Sequence, residues 1–290
     1  MPDQPQVTCV ADVQAVLGEG PVWVEREQAL YWVDIQSSKV FRLHDGDVRH
    51  WDTPMRLCSL VPRATGGFVA GTEDGIFFVD LDSDRFEPVA DPEADRPGNR
   101  FNDGKVDRAG RFWAGTMDDR EREACGTLYR LDADLRCSAI DHGYRITNGP
   151  AFSPDGRRMY HSDTARRVTY MFDLDDAGNA ANRREFARFA AAEGFPDGMT
   201  VDAEGCLWVA FWGGWCLRRY SPDAELLQKL ELPAGQITSC AFGGKGLRTL
   251  FITSARRGLE GTEFARQPFS GGLFAAQVGV AGIAEVPFAG

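Results

Sequence analysis

The sequence predicts an all-β protein, a six-bladed propeller built from four-stranded antiparallel blades, and three observations lead there. First, one unit recurs: a turn with Asp or Gly, a short aromatic and β-branched run, then Gly, Thr or Ser. It reads GGFVAGT at 66–72, GRFWAGT at 110–116, GRRMYHSDT at 156–164, GCLWVAFWGG at 205–214 and KGLRTLFIT at 245–253, with a looser first copy, EQALYWVDI, at 27–35. Second, another short apolar stretch precedes each copy (GPVWV, CSLVP, DGKVD, GPAFS, DGMTV and SCAFG). A polar residue stands at the head of each stretch: Glu19, Ser59, Asn102, Asn148, Asp197 and Ser239. Their spacings of 40, 43, 46, 49 and 42 residues match the length of one four-stranded blade. Third, the runs are short, bounded by Gly, Asp, Asn and Pro, and rich in Val, Phe, Trp and Tyr, which are strand signals. A β-sandwich could hold as many strands but gives no reason for a fixed repeat.

The chain of 290 residues is long for one domain, yet closed all-β folds reach this size as a single unit, and residues 1–290 are read as one propeller. Hydrophobic residues make up 43% and charged residues 26%, with 32 Gly, 15 Pro and 19 Phe. That balance suits a globular chain with many turns joining aromatic strands. One segment argues locally against the repeat: NRREFARFAAAE at 182–193 has helical propensity, whereas the repeat requires an outer strand near residues 184–189.

A net charge of −11 without a Lys/Arg-rich run makes nucleic acid and anionic membrane poor partners. The opening MPDQPQVTCVADVQAVL has no basic segment followed by an apolar core, so no secretion signal is expected. No stretch approaches ~18 consecutive apolar residues. The cysteines (Cys9, Cys58, Cys125, Cys137, Cys206, Cys216 and Cys240) are odd in number, scattered and never spaced CxxC. Reduced thiols and a cytoplasmic location are the expectation.

In a propeller the first strand of every blade lines the central channel, so the six polar residues should converge at its mouth although they run from residue 19 to residue 239. Glu19, Asn148 and Asp197 would then bring together two carboxylates and an amide, all oxygen donors. Carboxylates crowded in a narrow channel repel unless a proton or cation lies between them. A hard divalent cation suits oxygen ligands, and three protein ligands leave positions open for water and substrate. The competing assignment is ordinary turn chemistry, since Asp and Asn cap turns in every fold.

These residues lie in motifs that resemble, as a set, the SMP-30/gluconolactonase (regucalcin-like) family of sugar lactonases. The matching stretches are LGEGPVW at 17–23, NRFNDGKVDRAGRFWAGTM at 99–117, ITNGPAFSPDG at 146–156, PDGMTVDAEGCLWVA at 196–210, TSCAFGGKG at 238–246, ARRGL at 255–259 and GG at 271–272. The resemblance spans essentially the whole chain. It implies a six-bladed propeller with one divalent cation in the channel (Ca²⁺, Mn²⁺, Mg²⁺, Fe²⁺ or Zn²⁺), ligated at Glu19, Asn148 and Asp197. It implies also that Arg100 and Asn102 face a small sugar lactone, which is opened to the aldonic acid in sugar breakdown. The segment DDREREACG at 118–126 falls where family members vary, and no substrate contact is assigned in it.

Opening a cyclic ester requires a polarised carbonyl, an activated water and a stabilised oxyanion, and a divalent cation supplies the first and third. Asp197 is the candidate base, with one oxygen to ligate and one to take a proton. Arg100 offers a fork of donors, and Asn102 can donate and accept toward hydroxyls. There is no GxSxG, HExxH, P-loop or GxGxxG motif. His44, His50, His142 and His161 share no ligand spacing; His161 reads as a hydrogen-bonded strand residue and Asp163 as a channel-wall or turn carboxylate. Trp208, Phe211 and Trp212 are either an apolar wall beside the substrate or blade core. Two other functions fit the scaffold, a metal-binding regulatory propeller without catalysis and a phosphotriester hydrolase. The paired donors Arg100 and Asn102 argue against the first, because metal storage does not need them.

Overall fold

The computed structural model describes residues 5–290; the first four residues, part of the stretch read as lacking a secretion signal, lie outside the described residues. Six four-stranded antiparallel sheets form the six blades of a ring. Blade one runs outward through Gly18–Val24, Ala29–Asp34, Lys39–His44 and Asp47–Asp52. The innermost strands of blades two to six are Leu57–Pro62, Asn99–Val106, Thr147–Phe152, Phe195–Val201 and Ile237–Gly243. Blade six takes its outermost strand, Val7–Ala11, from the start of the chain, paired antiparallel with Leu273–Gln277 near the end. That pairing closes the ring.

The repeated turn has a visible cause. In blade three Asp107 accepts the backbone N–H groups of Ala109 and Arg111, the Trp113 indole N–H at 2.8 Å and the Arg111 Nε at 2.6 Å. In blade five Asp202 does the same for Glu204, Cys206, the Trp208 indole at 2.9 Å and the Arg219 Nε at 2.8 Å. One buried carboxylate thereby satisfies the turn and orients the Trp that fills the blade, as buried polar groups must find partners. The aromatics then join blades: Trp113 packs on Phe152, Phe189 edge-on to Phe211, and Trp208 edge-on to Phe242. Trp208 and Phe211 are fully buried, so they belong to the core and not to a wall beside substrate. Their side chains are spent between blades.

The segment at 182–193 divides as the repeat requires. Ala180–Arg188 is the outer strand of blade four, and only Ala191–Glu193 forms a 3-10 turn. Phe186 meets Tyr160 at 5.0 Å between ring centroids, a contact that the pleat delivers, so tertiary packing overrides helical propensity. Among the described residues one short α-helix occurs, Gly261–Arg266, and no helix is long and apolar enough to cross a membrane. All seven cysteines are free.

Each innermost strand breaks register with its neighbour near its start: between Glu19 and Val22, Leu57 and Ser59, Phe101 and Gly104, Asn148 and Ala151, Pro196 and Met199, and Ile237 and Ser239. A bulge of this kind re-aims the side chains beside it. At blade four the break needs Gly149, whose φ of 85° is costly for any residue with a Cβ.

His161 lies fully buried in its strand as expected, but neither ring nitrogen has a hydrogen-bond partner among the described residues. Its ring meets Tyr144 edge-on, centroids 4.8 Å apart. Burial, with the Arg183 charge adding to it, depresses its pKa to about 3. The folded protein therefore holds His161 neutral well below the pH at which an unfolded His, pKa ~6.5, takes up a proton. Its contribution to stability is whole above about pH 6.5 and is lost as pH falls toward 3, at up to ~1.4 kcal/mol per pH unit. Between pH 7 and 5, His161→Leu should accordingly lose roughly 2 kcal/mol less than the parent, read by urea unfolding at both values; parallel losses would overturn this.

Candidate active site

One cleft of about 640 Å³ opens at the end of the channel where the innermost strands begin, within the ~300–1,000 Å³ that small-molecule sites occupy. Glu19, Arg100, Asn102, Asn148 and Asp197 all line it. Ser59 and Ser239 do not: both are fully buried, with no partner for Oγ among the described residues. The register breaks explain the difference. In blades two and six the serine follows the break, whereas Glu19 and Asn148 precede it and Asn102 and Asp197 lie within it.

A hydrogen-bonded chain fixes the amides. Asn148 donates through Nδ2 to Thr164 Oγ1 at 2.8 Å, and Thr164 donates in turn to the Pro196 carbonyl at 2.7 Å. This bond sets the Asn148 amide, leaving Oδ1 to accept from Asn102 Nδ2 at 3.2 Å. Asn102 Nδ2 also donates to the Thr147 carbonyl at 2.7 Å, while its Oδ1 accepts from Arg100 Nη1 at 2.7 Å. The fork of Arg100 is thus less free than its sequence position implies. Nε is held by Asp119 at 2.7 Å and Nη1 by the Phe101 carbonyl, Asn102 and the Cys58 sulfur; Nη2 enters none of these bonds. Asp119 is shared with Arg56, at 3.0 and 3.1 Å. Burial favours its neutral form, but the two guanidinium groups outweigh that and hold its pKa below the usual carboxylate range.

The carboxylates at the channel axis are in the opposite state. Glu19 and Asp197 are buried, and neither makes an ion pair among the described residues. Burial first, and then the charge of Asp103, push the Glu19 pKa up to about 8. Burial, with Glu19 and Asp103 adding to it, raises Asp197 well above its ordinary value. Asp103, which the repeat does not single out, sits behind them and accepts from the Gly104 and Gly149 N–H groups, both at 2.8 Å. No three His, Cys, Asp or Glu side chains gather as a metal set among the described residues. The oxygen set here mixes two carboxylates with an amide, and the raised proton affinity of the carboxylates marks a place where a hard divalent cation can stand in for the proton.

The rim comes from loops and from the strand ends beside them. Met117 and Glu121 bring the 118–126 segment over the cleft, where Glu121 pairs with Arg257 at 2.8 Å and its carbonyl accepts from Arg145 Nε at 2.9 Å. Arg145, Arg167, Phe195 and Trp212 complete this side. Trp212 is therefore the one member of the aromatic trio beside the cleft. Asp163 is the turn carboxylate, accepting from the N–H groups of Arg145 and Arg166.

Comparison with known proteins places this architecture. The chain is 43% identical to a 6-deoxy-6-sulfogluconolactonase of Pseudomonas putida over 97% of its length and 98% of that protein's. It is 38% identical to an L-arabinolactonase of Azospirillum brasilense, covering 98% and 96%. The solved structure of a calcium-binding protein, regucalcin, from Agrobacterium tumefaciens superposes with a TM-score of 0.93 at 27% identity, covering 99% of this chain and 97% of that one. Residues 17–256 match the SMP-30/Gluconolactonase/LRE-like region, and the chain belongs to that family.

Proposed function

We propose that this chain is a divalent-cation-dependent hydrolase that opens a small sugar lactone to its aldonic acid. The observation that carries the proposal is the pair of buried, uncompensated carboxylates Glu19 and Asp197, set beside the oriented Asn148 amide in a cleft of small-molecule size. Two relatives bearing lactonase names, both similar over nearly the whole chain, support the reaction class. Glu19, Asn148 and Asp197 would hold the cation, which supplies Lewis acidity to a carbonyl oxygen and makes water easier to deprotonate.

The chain's own groups do the rest. Hydrolysis joins the water oxygen to the carbonyl carbon, breaks the ring C–O bond and moves a proton to the departing alkoxide. Asp197 is the base that takes the water proton, and it can return that proton to the alkoxide. Arg100 Nη2 and Asn102 are positioned to hold the sugar hydroxyls or the carboxylate product, and Asp119 keeps the Arg100 fork in place. Trp212 and Phe195 supply an apolar face against which a sugar carbon skeleton can lie.

Stripping divalent metal should abolish lactone opening and lower the melting temperature by a few degrees, because ligand at ~100-fold above its Kd stabilises by ~2.7 kcal/mol. Asp197→Asn should keep measurable metal while losing ~100-fold or more in kcat, and Glu19→Gln should chiefly weaken metal affinity. Base-uptake assays, elemental analysis and thermal melts read all three; metal-free protein working at the untreated rate would refute the cation's role. Arg100→Ala and Asn102→Ala should each lower kcat/KM by roughly tenfold or more with metal content near that of the parent. Asn102→Ala removes a donor that competes for Asn148 Oδ1, so its metal affinity should not fall. Metal loss in either variant would reassign that residue to ligand support.

A further inference from the structure

The charges around the cleft do not cancel. At its base a divalent cation would offset Glu19 and Asp197. Arg100 is matched by Asp119 at 2.7 Å, and Arg257 by Glu121 at 2.8 Å. Arg145 and Arg167 remain, and neither makes an ion pair among the described residues. A chain of net charge −11 thus places two uncompensated guanidinium groups on one side of the cleft that Glu19, Asn102, Asn148 and Asp197 line.

Both arginines belong to blade four and are held by the same structure. Arg145 precedes the innermost strand Thr147–Phe152, and Arg167 precedes the third strand Val168–Leu174. Buried Asp163 ties the two loops together by accepting the N–H groups of Arg145 and Arg166, and Thr164 N–H donates to the Ile146 carbonyl at 3.0 Å. Arg145 Nε is anchored on the Glu121 carbonyl. The guanidinium of Arg167 lies over the Phe195 ring at 3.9 Å, and its Nε is buried with no hydrogen-bond partner among the described residues. Stacking fixes that plane while leaving its donors unspent, and a fixed arginine fork matches a tetrahedral or planar oxyanion. Ordinary solvation explains a single exposed arginine. It does not explain two on one cleft wall, one of them with a buried, unpartnered donor.

We propose that the lactone opened here carries a second group that is anionic at neutral pH, a sulfonate, phosphate or carboxylate at the end of the carbon chain away from the lactone carbonyl, received by Arg145 and Arg167. The inference rests on the lactone-opening reading above and narrows its substrate class. Anion recognition at the rim also accounts for an acidic protein accepting an acidic substrate, because the local field opposes the net charge.

The test compares glucono-1,5-lactone with its 6-phosphate, 6-sulfonate and 6-carboxylate counterparts, using metal-loaded parent protein, Arg145→Gln, Arg167→Gln and the double variant. The parent should favour at least one anionic lactone over the neutral one by roughly tenfold or more in kcat/KM, with the advantage in KM and shrinking as salt rises. Each substitution should reduce the anionic-to-neutral ratio, and the double variant should bring it near one. The three anionic arms identify which oxyanion fits. A parent that favours the neutral lactone, or variants that leave the ratio unchanged, would overturn the proposal. If no lactone is opened, the hydrolase reading fails, and calorimetric binding of 6-phosphogluconate against gluconate decides the anion site separately. Preference for the phosphorylated acid that the double variant abolishes sustains it, and equal binding removes it.

Discussion

Six breaks in strand register, one at the head of each blade, are the constraint on which the site depends. A regular innermost strand would alternate its side chains between the two faces of its own blade. The irregularity beside Glu19, Asn102, Asn148 and Asp197 instead turns polar groups toward the common axis. The blades supply rigidity through aromatic packing, and the bulges supply direction. Where the residue falls beyond the break, as at Ser59 and Ser239, the same fold buries it.

Concentrating carboxylates on an axis has an electrostatic consequence that runs through the surrounding shell. Asp103 adds to burial in raising the proton affinity of Glu19, and Glu19 and Asp103 together add to it at Asp197. Around them each remaining charge is matched or fixed: Asp119 between Arg56 and Arg100, Asp163 between two loops, Asp107 and Asp202 in their turns. Polar capacity is left unspent at two places beside the site, the carboxylate axis and the arginine rim. Both face the same cleft. Unspent polar capacity of this kind is what a binding site must keep, since a fully satisfied network has nothing left to offer a ligand.

Much of this was legible from residue spacing, for a physical reason. A blade is one supersecondary unit repeated, so the heads of the innermost strands recur at nearly fixed intervals, and Glu19, Asn102, Asn148 and Asp197 could be picked out on that basis. The strand at 180–188 was legible in the same way, against its local propensity. What the repeat could not reveal lies off its period. Asp119, Glu121, Arg145 and Arg167 sit in connecting loops whose lengths vary from blade to blade. Asp103 stood beside a marked residue, but its role depends on backbone N–H groups of the next blade, including Gly149. The missing partners of the His161 ring and the engagement of Nε and Nη1 in the Arg100 fork are three-dimensional facts, settled by packing that no spacing encodes.

The outermost strand of blade six bears on how the molecule is made. Val7–Ala11 is synthesised well ahead of its partner Leu273–Gln277. During synthesis at ~5–20 residues per second, the early strand must wait many seconds without its sheet, its edge open to other pairings. Blades one to five can take shape as they emerge, but the ring stays open until that final pairing forms. Convergence of the cleft residues is therefore a late event in the life of the chain.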